Sequence, residues 1–187
     1  MILSVLIPTI PERAAQFNNL FFDVNFQIEM QNAYGLVEIL TDDAPVGTKT
    51  IGQKRNDLMS RAKGDYVCFI DDDDKISKDY IHIVLKALKS KPDNLSLLGI
   101  ITWNGINPEY FEHSIRYNEY KTTNNQIKYE RYPNHLNVIK HSIASQFKFP
   151  ETNFGEDTDW ATQIFLSGQL KKEVYINEIL YHYKYTK

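Results

Sequence analysis

The sequence of 187 residues lacks the features that mark secreted, disulfide-bonded or membrane-spanning proteins. Its single cysteine, Cys68, excludes an internal disulfide, and because Cys68 lies in an apolar run we expect it to pack in the core. No apolar stretch is long enough to span a bilayer, and the first residues lack the basic segment and the apolar length of a signal peptide. These absences predict a cytoplasmic protein.

The net charge of the chain does not favour nucleic acid or membranes as partners. A net charge of −3 gives no global attraction to nucleic acid or membranes, so binding of either would need a local patch. The chain has no internal repeat and no low-complexity tract. With 42% hydrophobic and 24% charged residues it has the composition of a globular protein, and its length predicts a single domain.

The most informative stretch is Asp71-Asp72-Asp73-Asp74, which directly follows the apolar run 66–70. The apolar run predicts a strand buried on both faces of a parallel sheet, and ligands of such sheets bind beyond the carboxyl ends of the strands. Four adjacent carboxylates repel one another, so we expect a cation there, most simply Mg²⁺ or Mn²⁺ shared with phosphate oxygens. The alternative is a solvated acidic loop, which would not require an apolar strand leading into it.

Apolar periodicity predicts strands and helices in alternation through the first half of the chain. Strands are predicted at 2–7, 36–40, 66–70 and 95–102, and helices at 14–28, 50–62 and 78–89. This order is typical of an α/β fold, Rossmann-like, with a mostly parallel central sheet flanked by helices. Because crossovers are right-handed, Thr9, Asp43 and the four aspartates should converge as in a nucleotide pocket.

The second half of the chain has a weaker pattern. Residues 104–133 are polar and rich in tyrosine, asparagine and lysine. Beyond them, strands are predicted at 135–139 and 174–183. A short helix is predicted at 141–147, and a longer helix is predicted to begin in the segment 154–160 and to end at about residue 167. Asp157 shares an apolar helical stripe with Trp160, so it should point inward. Glu156 and Asp159 are interpreted as outward acids that complement the helix dipole.

These features together resemble glycosyltransferase family 2, whose members have the GT-A fold. The matching segments follow one another in the order of the family: Leu6-Ile7-Pro8-Thr9 with Arg13, Asp42-Asp43, Lys54-Arg55-Asn56, Ala62-Lys63-Gly64-Asp65-Tyr66, Asp71-x-Asp73-Asp74 and Gly155-Glu156-Asp157. The chain departs from the family after the second strand, where Asp43-Ala44-Pro45 replaces the usual Asp-Gly-Ser.

The resemblance implies transfer of a sugar from a UDP-sugar to an acceptor hydroxyl with inversion. Asp43 would accept from the uracil N–H, and Asp71 or Asp72 would bind the ribose. Donor-binding positions carried over in this way are Pro8, Thr9, Arg13, Asp43, Lys54, Arg55, Asp71 and Asp72.

The resemblance also implies the metal and the catalytic groups. Asp73 would bind Mn²⁺ or Mg²⁺, with His182 near the end of the chain as a candidate second ligand; His135 and His141 are weaker candidates. Asp157 would be the general base that deprotonates the acceptor, and Glu156 is the adjacent candidate for that role.

The acceptor is expected to bind to the second half of the chain. We assign 1–103 to the nucleotide-sugar-binding half and 104–187 to the acceptor-binding and catalytic-base half. Residues 110–132 interleave aromatic rings, which stack on sugars and bases, with cations that bind phosphates. The net negative charge of the chain favours a glycan or other hydroxyl compound as the acceptor over a modified nucleic acid. The alternative is that about half of these tyrosines cover a small core.

Other functions fit the sequence less well. An Asp-x-Asp phosphatase would have Thr or Val where Lys75 stands, an EF-hand would have Gly at Ile76, and a sugar nucleotidyltransferase would have a glycine-rich loop after Ile7. Another Mg²⁺-dependent enzyme of nucleotide sugars or phosphoryl groups, and a nucleotide-sugar-binding module without activity, stay open as alternatives. A turnover assay with UDP-sugars separates an enzyme from a binding module.

Overall fold

A computed structural model describes residues 1–185, in which two six-stranded sheets are flanked by five α-helices. A 3₁₀ turn at Pro11–Arg13 precedes the helices α1 (Ala14–Met30), α2 (Ile51–Arg61), α3 (Tyr80–Leu88), α4 (His141–Ala144) and α5 (Glu156–Ser167). The strands are β1 (Leu3–Pro8), β2 (Val37–Asp42), β3 (Tyr66–Phe69), β4 (Lys75–Ile76), β5 (Asn94–Leu95), β6 (Leu97–Trp103), β7 (Ile106–His113), β8 (Lys121–Thr122), β9 (Ile127–Arg131), β10 (Ile139–Lys140), β11 (Glu173–Val174) and β12 (Ile179–Tyr185).

The first sheet has the order β11-β5-β10-β3-β1-β2, and its parallel centre is the predicted one. β1 pairs in parallel with both β2 and β3, and every residue of β1 and β3 is buried. Alternate side chains of β1 face opposite layers: Leu3, Val5 and Ile7 pack with α1 and α3, whereas Leu6 packs with α2 and α5. Both faces of this sheet are therefore covered by helices.

The predicted fourth strand is divided between the two sheets. Asn94–Leu95 joins the first sheet, and Leu97–Trp103 pairs with β7 and β12 in the second. The chain passes from one sheet to the other at Ser96, which is fixed by two hydrogen bonds. Its N–H donates to the Val174 carbonyl, and its hydroxyl accepts the Ile176 N–H at 2.7 Å. The place beside β3 is taken by the antiparallel β10.

The predicted strand at 135–139 is mostly a buried turn. Asparagine side chains take its backbone hydrogen bonds: Asn137 Oδ1 accepts the Asn134 N–H at 3.0 Å, and Asn134 Oδ1 accepts the Leu136 N–H at 3.0 Å. A strand begins only at Ile139. This turn fixes the position of His135.

The second sheet, in the order β4-β12-β6-β7-β9-β8, contains the polar segment that had no clear predicted structure. β7 pairs in parallel with β9, so that His113 lies opposite Arg131 and Phe111 opposite Tyr129. These four side chains share one face of the sheet. The sheet draws strands from both sides of residue 103, and the division of the chain into two halves at that point stays a prediction. None of the helices within residues 1–185 combines the length and apolarity that crossing a membrane requires.

We expect Gly52→Ala to lower the free energy of unfolding by about 1–3 kcal/mol, because a Cβ at this position would overlap the chain after α4. Thr50 and Gln53 form a capping box at the start of α2, and the Gly52 N–H donates to the Thr152 carbonyl at 3.1 Å. A Cβ on Gly52 would lie 1.8 Å from the carbonyl oxygen of Pro150. Urea denaturation measures the loss. The exposed Ser60→Ala on the same helix is the control, and equal midpoints for both variants would contradict the prediction.

Candidate active site

Two adjoining cavities lie beyond the carboxyl ends of β1 and β3 and at the start of α5. The aspartate cavity, of about 650 Å³, has a lining that includes Thr9, Arg13, Lys54, Asp71, Asp72 and Asp73. The aromatic cavity, of about 410 Å³, has a lining that includes Trp103, Phe111, Tyr129, Arg131, His135 and Asp157. Their common wall is formed by Arg55, Asp71, Asn153, Phe154, Glu156 and Tyr183.

Thr9 and Asp72 are brought together as the sequence predicted, and Arg13 lies beside them. The buried carboxylate of Asp72 accepts the Thr9 hydroxyl at 2.6 Å and an Arg13 N–H at 2.8 Å. Arg13 also lies 3.1 Å from a carboxylate oxygen of Asp73. The loop after β1 is thereby attached to the aspartates that follow β3.

Asp71 is held by two cationic or potentially cationic groups. A guanidinium nitrogen of Arg55 lies 3.1 Å from Asp71 Oδ1, and His135 Nε2 lies 3.5 Å from Asp71 Oδ2. Burial alone would raise the pKa of Asp71, but the charge of Arg55 and the proximity of His135 outweigh it and hold this pKa below its usual range. Asp71 is therefore an anion at neutral pH.

The other two aspartates differ in exposure. Asp74 is buried and accepts the Tyr181 hydroxyl at 2.8 Å and the Lys184 N–H at 2.7 Å, while burial and the charge of Asp71 raise its pKa. The Asp73 side chain is 31% exposed, and burial, together with Asp72 and Asp71, raises its pKa against the opposing effect of Arg13. The expected repulsion is offset at Asp71 by Arg55, but it still contributes to the raised pKa values of Asp73 and Asp74.

Asp73 is the most exposed of the four aspartates, and it lines the aspartate cavity, where an incoming cation can reach it. Within residues 1–185 no group of three or more His, Cys, Asp or Glu side chains is arranged to hold a metal ion. A partly exposed carboxylate beside a cavity of this size, with Arg13 3.1 Å from it, fits a cation that takes most of its other ligands from phosphate and water, which is common for Mg²⁺.

The structure does not bring His182 to the aspartates. Tyr181 and Tyr183 lie on the side of β12 that faces the aspartates, so His182 between them projects from the opposite side. Burial and the charge of Lys75, on the paired strand β4, lower the pKa of His182. His182 lines neither cavity.

The residues after β2 are placed differently from the prediction. Asp43 is exposed and lines a separate surface pocket rather than the aspartate cavity. Asp42 is the buried acid, and it accepts Lys49 Nζ at 2.9 Å. Lys54 is buried, and its ammonium donates to the carbonyls of Thr9 and Ala44, each at 2.5 Å. Lys54 therefore joins the loops that follow β1 and β2, beside Pro8 in the cavity lining.

The two acids at the start of α5 have exposures opposite to the prediction. Glu156, expected to point outward, is buried and lies 3.4 Å from Arg55; burial raises its pKa, which Arg55 opposes. The Asp157 side chain, expected inward, is 34% exposed and faces the aromatic cavity. Arg55 is the reason for the reversal, because it supplies the charge that lets Glu156 be buried.

His135 links the two cavities. The sequence indicated it only as a weaker candidate for a metal ligand. The residue is buried, with Nε2 3.5 Å from Asp71 and Nδ1 3.6 Å from Asp157 Oδ2. Neither ring nitrogen has a hydrogen-bond partner in residues 1–185. The signal in the sequence was the pair Asn134 and Asn137, which fold the turn that carries His135 inward.

Fold and site together define an α/β protein of the GT-A type, as predicted. Solved structures agree: S. aureus TarS 1–349 in complex with UDP-GlcNAc matches with a TM-score of 0.69 at 16% identity, over 100% of this chain and 59% of that one. The same fragment in complex with UDP matches with a TM-score of 0.66 at 16% identity, over 99% of this chain and 61% of that one. TarS matches with a TM-score of 0.60 at 14% identity, over 99% of this chain and 37% of that one. At these identities the likeness concerns the fold.

The family follows from the sequence profile. Residues 46–151, more than half of the chain, match glycosyl transferase family 2, and the chain belongs to this family. The resemblance inferred from the motifs is thereby confirmed. No curated protein matches the chain. The chain spans about 59% of the length of the TarS fragment.

Proposed function

We propose that the chain transfers a sugar from a UDP-sugar to an acceptor hydroxyl, with inversion and with Asp157 as the general base. The observation that carries this proposal is the partly exposed carboxylate of Asp157 in a cavity that shares a wall with the aspartate cavity. Such an arrangement suits a donor and an acceptor that meet at one point. The UDP and UDP-GlcNAc complexes of TarS support a UDP-sugar as the donor.

The aspartate cavity is assigned to the nucleotide. Thr9 and Arg13 are fixed by Asp72, so their positions require little reorganisation when the donor binds. Arg13 is half-exposed and can stabilise negative charge on the diphosphate. Asp71 remains the candidate for the ribose, and Asp43, which lies outside the cavity, has no part in this assignment.

A divalent cation, Mn²⁺ or Mg²⁺, would be held by Asp73 and would stabilise charge on the leaving diphosphate. This assignment uses Asp73 alone from the chain, because His182 faces away from the aspartates.

The proton transfer is assigned to Asp157. Its carboxylate would take the proton of the acceptor hydroxyl as that oxygen attacks the anomeric carbon, and one direct displacement inverts the configuration there. His135 lies against Asp157 and Asp71, so it limits the orientations that the base can adopt. The buried Arg55 holds Glu156 and Asp71 in the wall between the two cavities.

The experiment that tests this function is a measurement of UDP release with a panel of UDP-sugars, Mn²⁺ and hydroxyl acceptors. Release that depends on both sugar and acceptor supports a transferase. Binding of UDP-sugars without release under any condition would instead support a binding module.

We expect Asp73→Asn to weaken UDP binding in the presence of Mn²⁺ by at least about tenfold, because a neutral amide is a poor ligand for a hard cation. Calorimetric titration of UDP with and without Mn²⁺ measures the change. The fold should persist, since the substitution removes one of several repelling carboxylates. Asp23→Asn, at an exposed position of α1, is the control. Undiminished Mn²⁺-dependent binding in Asp73→Asn would remove Asp73 from the metal site.

A further inference from the structure

Arg131 differs from the other arginines around the two cavities, because it has no carboxylate partner within residues 1–185. Arg13 is paired with Asp72 and Asp73, and Arg55 is paired with Asp71 and Glu156. Arg131 contacts aromatic rings instead, with its guanidinium carbon 4.6 Å from the ring centroid of Tyr120 and 5.6 Å from that of Tyr129. The charge of Arg131 is therefore available to a ligand.

The surroundings of Arg131 hold the guanidinium in the lining of the aromatic cavity. It lies at the end of β9, on the face of the sheet that also carries Tyr129, and both residues line the cavity. Burial lowers the pKa of Arg131, so part of its hydration has already been lost. An anion that pairs with Arg131 would offset that loss.

The neighbouring histidine does not compete for the anion. His113 lies opposite Arg131 in the strand register and is buried. Burial, with the charge of Arg131, lowers the pKa of His113 to about 3. His113 is thus neutral at physiological pH, and Arg131 is the cation on this face of the cavity.

We propose that Arg131 binds an anionic group of the acceptor, a phosphate or a carboxylate, and thereby directs a nearby hydroxyl toward Asp157. This inference rests on the proposed transferase function. The planar guanidinium presents paired N–H donors that match either anion, and Trp103 and Tyr129 offer rings on which a sugar can stack. The acceptor class is a sugar unit that carries one anionic group.

The position of Arg131 favours the acceptor over the nucleotide as the source of the anion. Arg131 lines the aromatic cavity but not the aspartate cavity, which is assigned to the diphosphate. Within residues 1–185 the lining of this cavity of about 410 Å³ holds a single arginine without a carboxylate partner, which fits one anionic unit. Binding of nucleic acid requires several contacts between cations and phosphates, whereas on this face of the sheet Arg131 is the cation that a phosphate could contact.

The test is an NMR titration of the protein with glucose 6-phosphate, using glucose as the neutral twin, with and without saturating UDP and Mg²⁺. We expect glucose 6-phosphate to bind at least about tenfold more tightly than glucose, as charge-assisted hydrogen bonds allow, and to shift the Arg131 Nε–H resonance. Arg131→Gln should abolish this preference, Arg131→Lys should keep part of it, and the exposed Lys121→Gln on β8 should keep all of it. The resonance of the wild-type protein gives an answer even where a variant folds poorly.

Equal binding of glucose 6-phosphate by wild type and Arg131→Gln, or no preference over glucose, would overturn the proposal. Loss in Arg131→Gln of UDP-glucuronate binding alone would assign the anion to the donor sugar instead. Tighter, strongly salt-dependent binding of a single-stranded oligonucleotide through Arg131 would replace the small acceptor by a nucleic acid. Absence of UDP binding in the wild type would contradict the transferase function itself, separately from the result with glucose 6-phosphate.

Discussion

Asp157→Asn is expected to lower the turnover of UDP-sugar by a factor of about 10² to 10⁴ while UDP binding stays unchanged. Asparagine has the size of aspartate, but its amide cannot accept the proton of an acceptor hydroxyl. Asp157 lines the aromatic cavity and not the aspartate cavity, so its loss should leave the nucleotide site intact. Release of UDP in steady state measures the turnover, and calorimetry measures the binding.

Two neighbouring acids provide the comparison. Asp159→Asn changes an exposed acid in the same helical turn, so it should leave turnover near that of the wild type. Glu156→Gln removes the buried partner of Arg55, so its effect should extend to stability. Near-normal turnover in Asp157→Asn together with an inactive, folded Glu156→Gln would move the role of base to Glu156.

The central layer of the fold could be predicted because its signals are local. β1 and β3 are continuous apolar runs, α1 has an apolar residue on each turn, and Thr50 with Gln53 marks the start of α2. The ends of these strands also place Asp71 to Asp73 near Thr9 and Arg13, since parallel strands end at one edge.

Two strands of the second sheet, β6 and β12, overlap the strands predicted at 95–102 and 174–183, whereas β7 and β9 could not be predicted because they line a cavity. Phe111 and Arg131 lie on the same face of β7 and β9, so the usual contrast between an apolar and a polar face is lost. The insertion of β10 beside β3 pairs Ile139 with Val67, and such a distant pairing leaves no periodic trace.

The orientations of the acids were wrong where the deciding group lies on another element. Helical periodicity placed Asp157 inward and Glu156 outward, yet Arg55 on α2 makes burial of Glu156 favourable. Asp43, rather than Asp42, was assigned to the nucleotide from the family motif Asp-Gly-Ser, from which this chain departs. Asp42 is the buried acid, and it is paired with Lys49. A pattern along one helix or one loop does not contain these contacts.

Arg55→Met is expected to lower the free energy of unfolding by about 3–5 kcal/mol, the usual loss when one partner of a buried ion pair is removed. Arg55 is buried between Asp71 and Glu156, and its guanidinium carbon lies 5.4 Å from the Phe69 ring centroid. Methionine fills much of the same volume but leaves both carboxylates without their cation. Urea denaturation measures the loss, and the exposed Arg61→Met on the same helix should change the stability by less than about 1 kcal/mol.

A second substitution and the pH dependence of stability show whether this loss comes from the unpaired carboxylates or from lost packing. Adding Glu156→Gln to Arg55→Met should recover part of the stability, because a buried amide costs less than an unpaired carboxylate. Burial already raises the pKa of Glu156 in the folded protein; loss of Arg55 would raise that pKa further and would remove the largest cause that lowers the pKa of Asp71. Both states are then protonated at sufficiently low pH, so the difference from wild type should shrink as the pH falls and grow as it rises through those pKa values. A loss that is constant with pH and unchanged by Glu156→Gln would instead assign the stabilisation to the packing of Arg55 against Phe69 and Phe149.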